Sequence, residues 1–235
     1  LQKYGYRVAV VPQPNWRDDL RDFTKLGAPR LFFGVSAGAM DSMVNHYTAN
    51  IRLRSNDAYT AGGKAGFRPD HAATVYTQIL KRLYPHVPVV VGGIEASLRR
   101  LTHYDYWSDS LKPSMIVESG ADLLIYGMGE RVVQQVAKAM RNGYNAKLLR
   151  KINQVAFLAD KSYVERLDPA TTKILHSYEE CCRDKHAFAE NFVEEETLSN
   201  VMEPTTTLVE QVGEKYIVVT PPNTTLSTEE LDHSF

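Results

Sequence analysis

The stretch Val87–Asp109, VPVVVGGIEASLRRLTHYDYWSD, constrains this chain more than any other. It opens on Val89-Val90-Val91, bounded by Pro88 and by Gly92-Gly93. A short unbroken run of β-branched residues closed by glycines fits a strand buried on both faces, as in a parallel sheet. The paired glycines let the backbone turn sharply, or let a ligand come close to it. Just past them lie Glu95, Ser97, Arg99, Arg100, His103, Tyr104, Asp105, Tyr106, Trp107 and Asp109. In open parallel sheets, ligands bind at the carboxyl ends of the strands. Any one of these residues alone is more simply a solvated loop residue. Their density makes the cluster a candidate site.

Two further segments repeat this grammar. Leu31–Val35 reads as a strand that runs into Ser36-Ala37-Gly38-Ala39-Met40-Asp41. Small residues there keep a strand end open. ADLLIY, residues 121–126, reads as another, and leaves through Gly127-Met128-Gly129-Glu130 into a helix reaching Met140. Strand, Gly-x-Gly and helix together offer N–H groups and a dipole to an anion. The third glycine and acidic partner of a nicotinamide fingerprint are missing. Arg7–Val11 has the look of one more strand. Helical spacing runs over Trp16–Leu26, with Asn15 as N-cap, and from Asp70 as N-cap to Tyr84. Met115–Val117 reads as a short strand or a helix end.

Strands alternating with helices imply right-handed crossovers and a parallel sheet. The fold class expected is therefore α/β, doubly wound and Rossmann-like. Its carboxyl rim would gather the ligand-binding candidates. These are Ser36, Gly38 and Asp41 after one strand, and Gly92, Gly93, Glu95, Ser97, Arg99, Arg100, His103 and Tyr104 after the next. Tyr126, Gly127, Gly129 and Glu130 follow the third. A polar insertion reaching Asp70 carries Arg52, Arg54, Asp57 and Tyr59, and its glycines 62, 63 and 66 suggest a mobile loop.

The α/β domain is expected over residues 1–145. A helix-plus-hairpin extension is expected over 146–220. It would contain an edge strand at Val155–Leu158, a long helix over Lys173–Leu198, and a hairpin around Gly213-Glu214-Lys215. Residues 221–235, rich in Pro, Thr and Ser, read as a linker toward a following domain.

Formal net charge is −1, so bulk electrostatics call for neither nucleic acid nor an anionic membrane. No run approaches the roughly 20 apolar residues of a membrane span. The opening LQKYGYRV is unlike a signal peptide. A cytoplasmic location is the expectation. Cys181 and Cys182 are adjacent, a spacing that suits neither a mutual disulfide nor a zinc site.

VGGIEASLRR with HYDYWSD resembles the N-terminal region of the YgiQ-type radical S-adenosylmethionine (SAM) proteins. FFGVSAGAMDSMVNHYTANIRLRSNDAY, the GG…RPD segment, ADLLIYGMGER and PP…LSTEELD carry the same likeness over nearly the whole chain. The resemblance implies a parent enzyme with a [4Fe–4S] cluster and SAM, acting on a substrate not yet assigned. The cluster's CxxxCxxC motif is absent here, and in the family it lies downstream. The partner implied is the protein's own downstream radical SAM domain, and a further strand and helix are expected before Leu1. The fold is also similar to cobalamin-binding domains of related enzymes. Their Asp-x-His-x-x-Gly signature is missing, since His103 in THYDYW and His71 in PDHAAT do not match it. Cobalamin would have to bind without a histidine from the protein.

Three readings of function follow. The chain is an accessory N-terminal domain that shapes a substrate or second-cofactor cavity and carries no catalytic residue itself. Or it is a hydrolase or transferase using Glu95, His103 and Asp105 or Asp109 as acid–base groups. Or it is a non-catalytic module that stacks a flat, nucleotide-like ligand on its aromatic and arginine side chains.

Overall fold

A computed structural model describes residues 1–143 and 146–234. The chain begins with α1 (Arg21–Thr24), β1 (Phe33–Ser36), α2 (Ser42–His46), α3 (Ala72–Leu83), β2 (Val89–Gly92) and α4 (Ile94–Leu98). It continues with β3 (His103–Asp105), β4 (Ser110–Lys112), α5 (Met115–Ser119), β5 (Leu123–Ile125) and α6 (Glu130–Arg141). Next come α7 (Ala146–Leu149), β6 (Val155–Ala159), α8 (Lys161–Val164), β7 (Thr172–Ile174) and α9 (Tyr178–Arg183). The last elements are α10 (Lys185–Ser199), β8 (Thr207–Val212), β9 (Lys215–Val219) and α11 (Thr228–Ser234).

Seven strands form a mixed sheet in the order β1-β2-β5-β6-β9-β8-β7, and β3 and β4 form a separate hairpin. β1, β2 and β5 are mutually parallel, with Val35 beside Val91 and Val91 beside Leu124. β6 runs antiparallel to β5 and to β9, and β9 antiparallel to β8.

Alternation along β2 decides the layers. Val89 and Val91 belong to one core with Ala73, Tyr76 and Ile79 of α3, Ala96 of α4, and Met115 and Ile116 of α5. Val90 belongs to the other, with Leu123 and Ile125 of β5 and Val132, Val136 and Met140 of α6. Helices thus cover both faces, which is the doubly wound α/β arrangement. Each Val, Leu, Ile or Met side chain among these, fully buried, contributes about 1.5–3 kcal/mol.

Several local expectations are corrected. Residues 7–11 pair with no strand among the described residues, and Val10 is exposed. An apolar run makes a strand only where a ladder partner exists. The helix expected over Trp16–Leu26 shrinks to α1. Asn15 Oδ1 accepts from Arg17 N, Asp18 Oδ1 from Leu20 N and Asp19 Oδ1 from Arg21 N. Such side-chain turns compete with helix formation. Asp70 does not cap α3, because His71 occupies that position at φ 50°. The Asp70 carboxylate is taken by His46 Nδ1 at 2.8 Å and by the Tyr47 hydroxyl at 2.7 Å. Met115–Val117 opens α5, with Ser114 as its cap.

β6 is interior rather than an edge, since it lies between β5 and β9. The single helix expected over Lys173–Leu198 is instead β7, α9 and α10. Asp184, extended at φ −133°, interrupts the last two and caps α10 through His186 N. The hairpin β8–β9 forms as expected and joins the main sheet through β6. The boundary expected at 145 falls on a position outside the described residues.

Candidate functional site

β1, β2 and β5 are neighbours, so the turns that leave their carboxyl ends are neighbours too. Ser97, on the first helix after β2, joins two of these turns. Its hydroxyl donates to Gly93 O at 2.8 Å and accepts from Gly127 N at 2.9 Å. Ser36 closes the turn after β1, where its Oγ accepts from Gly38 N at 3.1 Å. A Cβ on Gly93 would stand 2.5 Å from that same oxygen, at a φ of 85°. Only glycine fits there. Gly92 packs against Ile125 O, where a Cβ would stand at 3.3 Å. Gly127, at φ 63°, is held by Gln154, whose Nε2 donates to Tyr126 O and Met128 O at 2.6 and 2.7 Å. Gly129 caps α6 against Ile125, and Glu130 stands exposed in its first turn.

Beneath this rim is a buried polar frame. Glu95 is 0% exposed. Its Oε2 accepts from Ser42 N and its Oε1 from Ala73 N, both at 2.9 Å. One carboxylate thereby ties α4 to the starts of α2 and α3. Asp41 caps α2 through Met43 N and Val44 N, and Arg99 donates to its Oδ2. Arg99 Nη1 also reaches Glu95 O at 3.3 Å. The adjacent Arg100 turns the other way. It donates to Ser97 O at 2.7 Å, pairs with Glu195 of α10, and lies 5.2 Å above the Tyr126 ring. The Tyr126 hydroxyl donates to Thr220 O at 2.5 Å, and burial pushes its pKa up.

The insertion after α2, in which glycines 62, 63 and 66 lie, is anchored at Asp57. Asp57 is its hub. Arg68 grips Asp57 with Nε at 2.8 Å and Nη2 at 3.1 Å, and Asn45 Nδ2 adds a bond at 2.8 Å. Arg68 Nη1 then reaches Ala37 O at the rim, at 3.2 Å. Burial alone would raise the Asp57 pKa, but Arg68 and the other donors outweigh it and hold the carboxyl below its usual range. The hairpin β3–β4 braces the insertion from outside. Tyr106 OH donates to Ala49 O at 2.7 Å, and Trp107 meets the Tyr47 ring at 6.4 Å.

His103 does not stand in the rim turns. It lies on the hairpin, where burial lowers its pKa to about 4, so the ring is neutral at pH 7. Tyr104 is exposed and donates to Asp109 Oδ1 at 2.6 Å. The expected acid–base set is divided between α4, which carries Glu95, and the hairpin β3–β4, which carries His103, Asp105 and Asp109. Both Glu95 oxygens hold backbone N–H groups, Asp105 accepts from Ser108, and Asp109 accepts from Tyr104.

The structure brings Ser36, Gly38, Gly92, Gly93, Ser97 and Gly127 to one rim, with Asp41, Glu95 and Arg99 under it. Arg100 and Tyr126 lie on its flank beside α10. Sequence reasoning missed Gln154, Glu195 and Glu210. Glu210 of β8 is buried and accepts from Thr102 N at 3.0 Å and Thr102 Oγ1 at 2.7 Å. Burial pushes its pKa up to about 7, against the opposing pull of these bonds. Its signal was a glutamate at the inward position of an alternating strand, two residues from Leu208.

The residues here do not fit an iron–sulfur cluster. Such clusters are held by several cysteine thiolates, and the chain has two cysteines, Cys181 and Cys182. Among the described residues, no group of three or more His, Cys, Asp or Glu side chains is placed to hold a metal ion. Nor is any helix among them long and apolar enough to cross a membrane.

Comparison with known proteins assigns the family. The family described as radical SAM N-terminal matches residues 1–235. A UPF0313 protein of Porphyromonas gingivalis is 56% identical over 235 residues, covering 100% of this chain and 37% of its own length. One from Bacteroides thetaiotaomicron is 51% identical and one from Thermotoga neapolitana 40%, and this chain covers 39% and 40% of their lengths. The chain thus spans well under half of these relatives. No solved structure matches it. The chain belongs to the radical SAM N-terminal family.

Proposed function

From that membership we propose that this chain is the accessory domain of a larger radical SAM enzyme whose substrate is unassigned. It carries no catalytic group. Its role is to present the rim of β1, β2 and β5 as one wall of the cavity in which the downstream domain works. The [4Fe–4S] cluster and SAM belong to that downstream domain, whose cysteines lie outside this chain. The observation that carries this reading is the division of labour at the rim. Charged groups suited to chemistry, Asp41, Glu95 and Arg99, are spent on holding turns together, whereas the turns themselves expose small and apolar residues. That is how a wall is built, not a catalytic centre. Ser36, Gly38, Gly93, Ser97 and Gly127 are the positions proposed to stand nearest the ligand.

The full-length protein, purified without oxygen, tests this directly. It should bind iron and sulfide and cleave SAM to 5′-deoxyadenosine under a reductant, whereas residues 1–235 alone should do neither. A full-length protein with no cluster and no SAM cleavage contradicts the reading. One observation favours a second reading, that of a module binding a flat ligand by itself. Tyr104 of β3 and Tyr106 of the turn that follows it are both exposed. Saturable binding of a nucleotide to residues 1–235, lost in Tyr104→Ala, would support it. Cobalamin fits under either reading only without a histidine on cobalt; hydroxocobalamin with an unchanged visible spectrum removes it.

A further inference from the structure

The rim exposes apolar side chains from each of its turns. Met40 follows β1, Ile94 and Leu98 lie one helical turn apart on α4 after β2, and Met128 follows β5. Leu98 is 59% exposed and Met128 61%. The bonds that close the rim, Ser97 to Gly93 and Gly127, and the approach of Gly93 to Ser36, bring these turns against one another. Side chains of this kind at adjoining turns make an apolar edge that the described residues leave exposed.

The final segment crosses the same edge. Asn223 bonds to Gln154, the residue that holds the Gly127 turn. Arg131, in the first turn of α6, donates to Thr224 O at 3.2 Å and pairs with Glu230 at 2.6 Å. Glu230 of α11 is thereby held at the first turn of α6, three residues along the chain from Met128. Relatives of which this chain covers 37–40% carry ample further sequence to sit there.

We infer that Met40, Ile94, Leu98 and Met128 form the seat on which the downstream radical SAM domain docks, so that this rim faces that domain and not solvent or a second copy. The inference rests on the proposed function and adds to it the surface of contact. Apolar contact at a domain interface excludes water from what lies between the domains. An accessory wall needs that property.

The test uses the full-length protein with its cluster reconstituted. Hydrogen–deuterium exchange is followed in peptides covering residues 36–44, 92–100 and 126–131, in wild type and in Leu98→Asp. Leu98 is exposed in this chain, so the change leaves the fold intact, and α3 serves as the internal control. The rim peptides should exchange slowly in wild type. In Leu98→Asp they should exchange on the order of tenfold faster, the cost expected for placing a charge where a leucine is buried, with α3 unchanged. Rim peptides that exchange as fast as residues 200–206 in wild type, with the cluster and SAM cleavage intact, overturn the docking surface and leave the proposed function standing. Protection that grows with protein concentration overturns it too, since the occupant is then a second copy. A protein with no cluster fails the functional reading, and this inference falls with it.

Discussion

The two halves of the sheet solve different problems. In the parallel half, β1, β2 and β5 all end at the same edge, so their turns converge and can build a surface. In the antiparallel half, β6, β9 and β8 alternate in direction, and their ends are shared between two edges. The parallel half therefore carries the rim, and the antiparallel half buttresses it. Each half holds the segment after β2 with one buried glutamate. Glu95, within that segment, reaches out to Ser42 N and Ala73 N; Glu210, from β8, reaches in to Thr102. The lesson is that both of these buried carboxylates mark joints between elements.

The sharpest way to break that comparison is to remove the first joint. Glu95→Ala leaves two buried N–H groups without an acceptor, at about 1–3 kcal/mol each. Urea unfolding should show a loss of about 2–6 kcal/mol. A loss below 1 kcal/mol would mean that the carboxylate is not structural.

The second joint should show itself through pH. Glu210 binds its proton up to about pH 7 in the folded chain, but near the ordinary 4.5 when unfolded. Between those values the native state holds more protons, so the stability this group lends is full below 4.5 and is lost as pH rises through 7. The shift corresponds to roughly 3 kcal/mol. His103 acts oppositely: its pKa falls to about 4, so its contribution is lost as pH falls from 6.5 through 4. The difference between wild type and Glu210→Gln cancels the histidine. Unfolding free energies of the two proteins should converge toward acid pH and diverge toward pH 8, with wild type losing more. Parallel profiles would contradict the assignment.

Two smaller effects sharpen the picture at the rim. Gly93→Ala sets a methyl against Ser36 Oγ at a left-handed φ and should cost about 1–3 kcal/mol. Ser36→Gly in the same chain should recover the steric part only, and full recovery would show that backbone conformation is not at issue. Tyr126→Phe removes the bond to Thr220 O that ties the two halves together. A loss of about 1 kcal/mol is expected, measured by the shift in urea midpoint.

These asymmetries also explain what could be read in advance. β2 and β5 were readable because buried parallel strands appear as short unbroken apolar runs closed by glycine. The rim residues followed from the same pattern, since Gly93 and Gly127 mark the turns. β6 was misjudged as an edge because Val155–Leu158 looks the same whether one neighbour or two flank it. Residues 7–11 show the reverse error, an apolar run with no ladder to join among the described residues. α1 was overdrawn because spacing of Trp16, Leu20 and Phe23 says nothing of Asn15, Asp18 and Asp19 bonding back to the chain. Glu95, Asp41 and Arg99 stand among the ligand-binding candidates by residue type, which cannot say that they face inward. Arg100 and Glu195 meet across some 95 residues of chain, which no local pattern reveals.

The central claim is that the carboxyl edge of β1, β2 and β5 faces the rest of the protein. Photocrosslinking tests it most directly, with p-benzoylphenylalanine replacing Leu98 at the rim or His86 at the opposite, amino end of β2, each in the full-length protein. Illumination should join position 98 to peptides beyond residue 235 and leave position 86 unjoined. Crosslinks from position 86 and none from position 98 would contradict it.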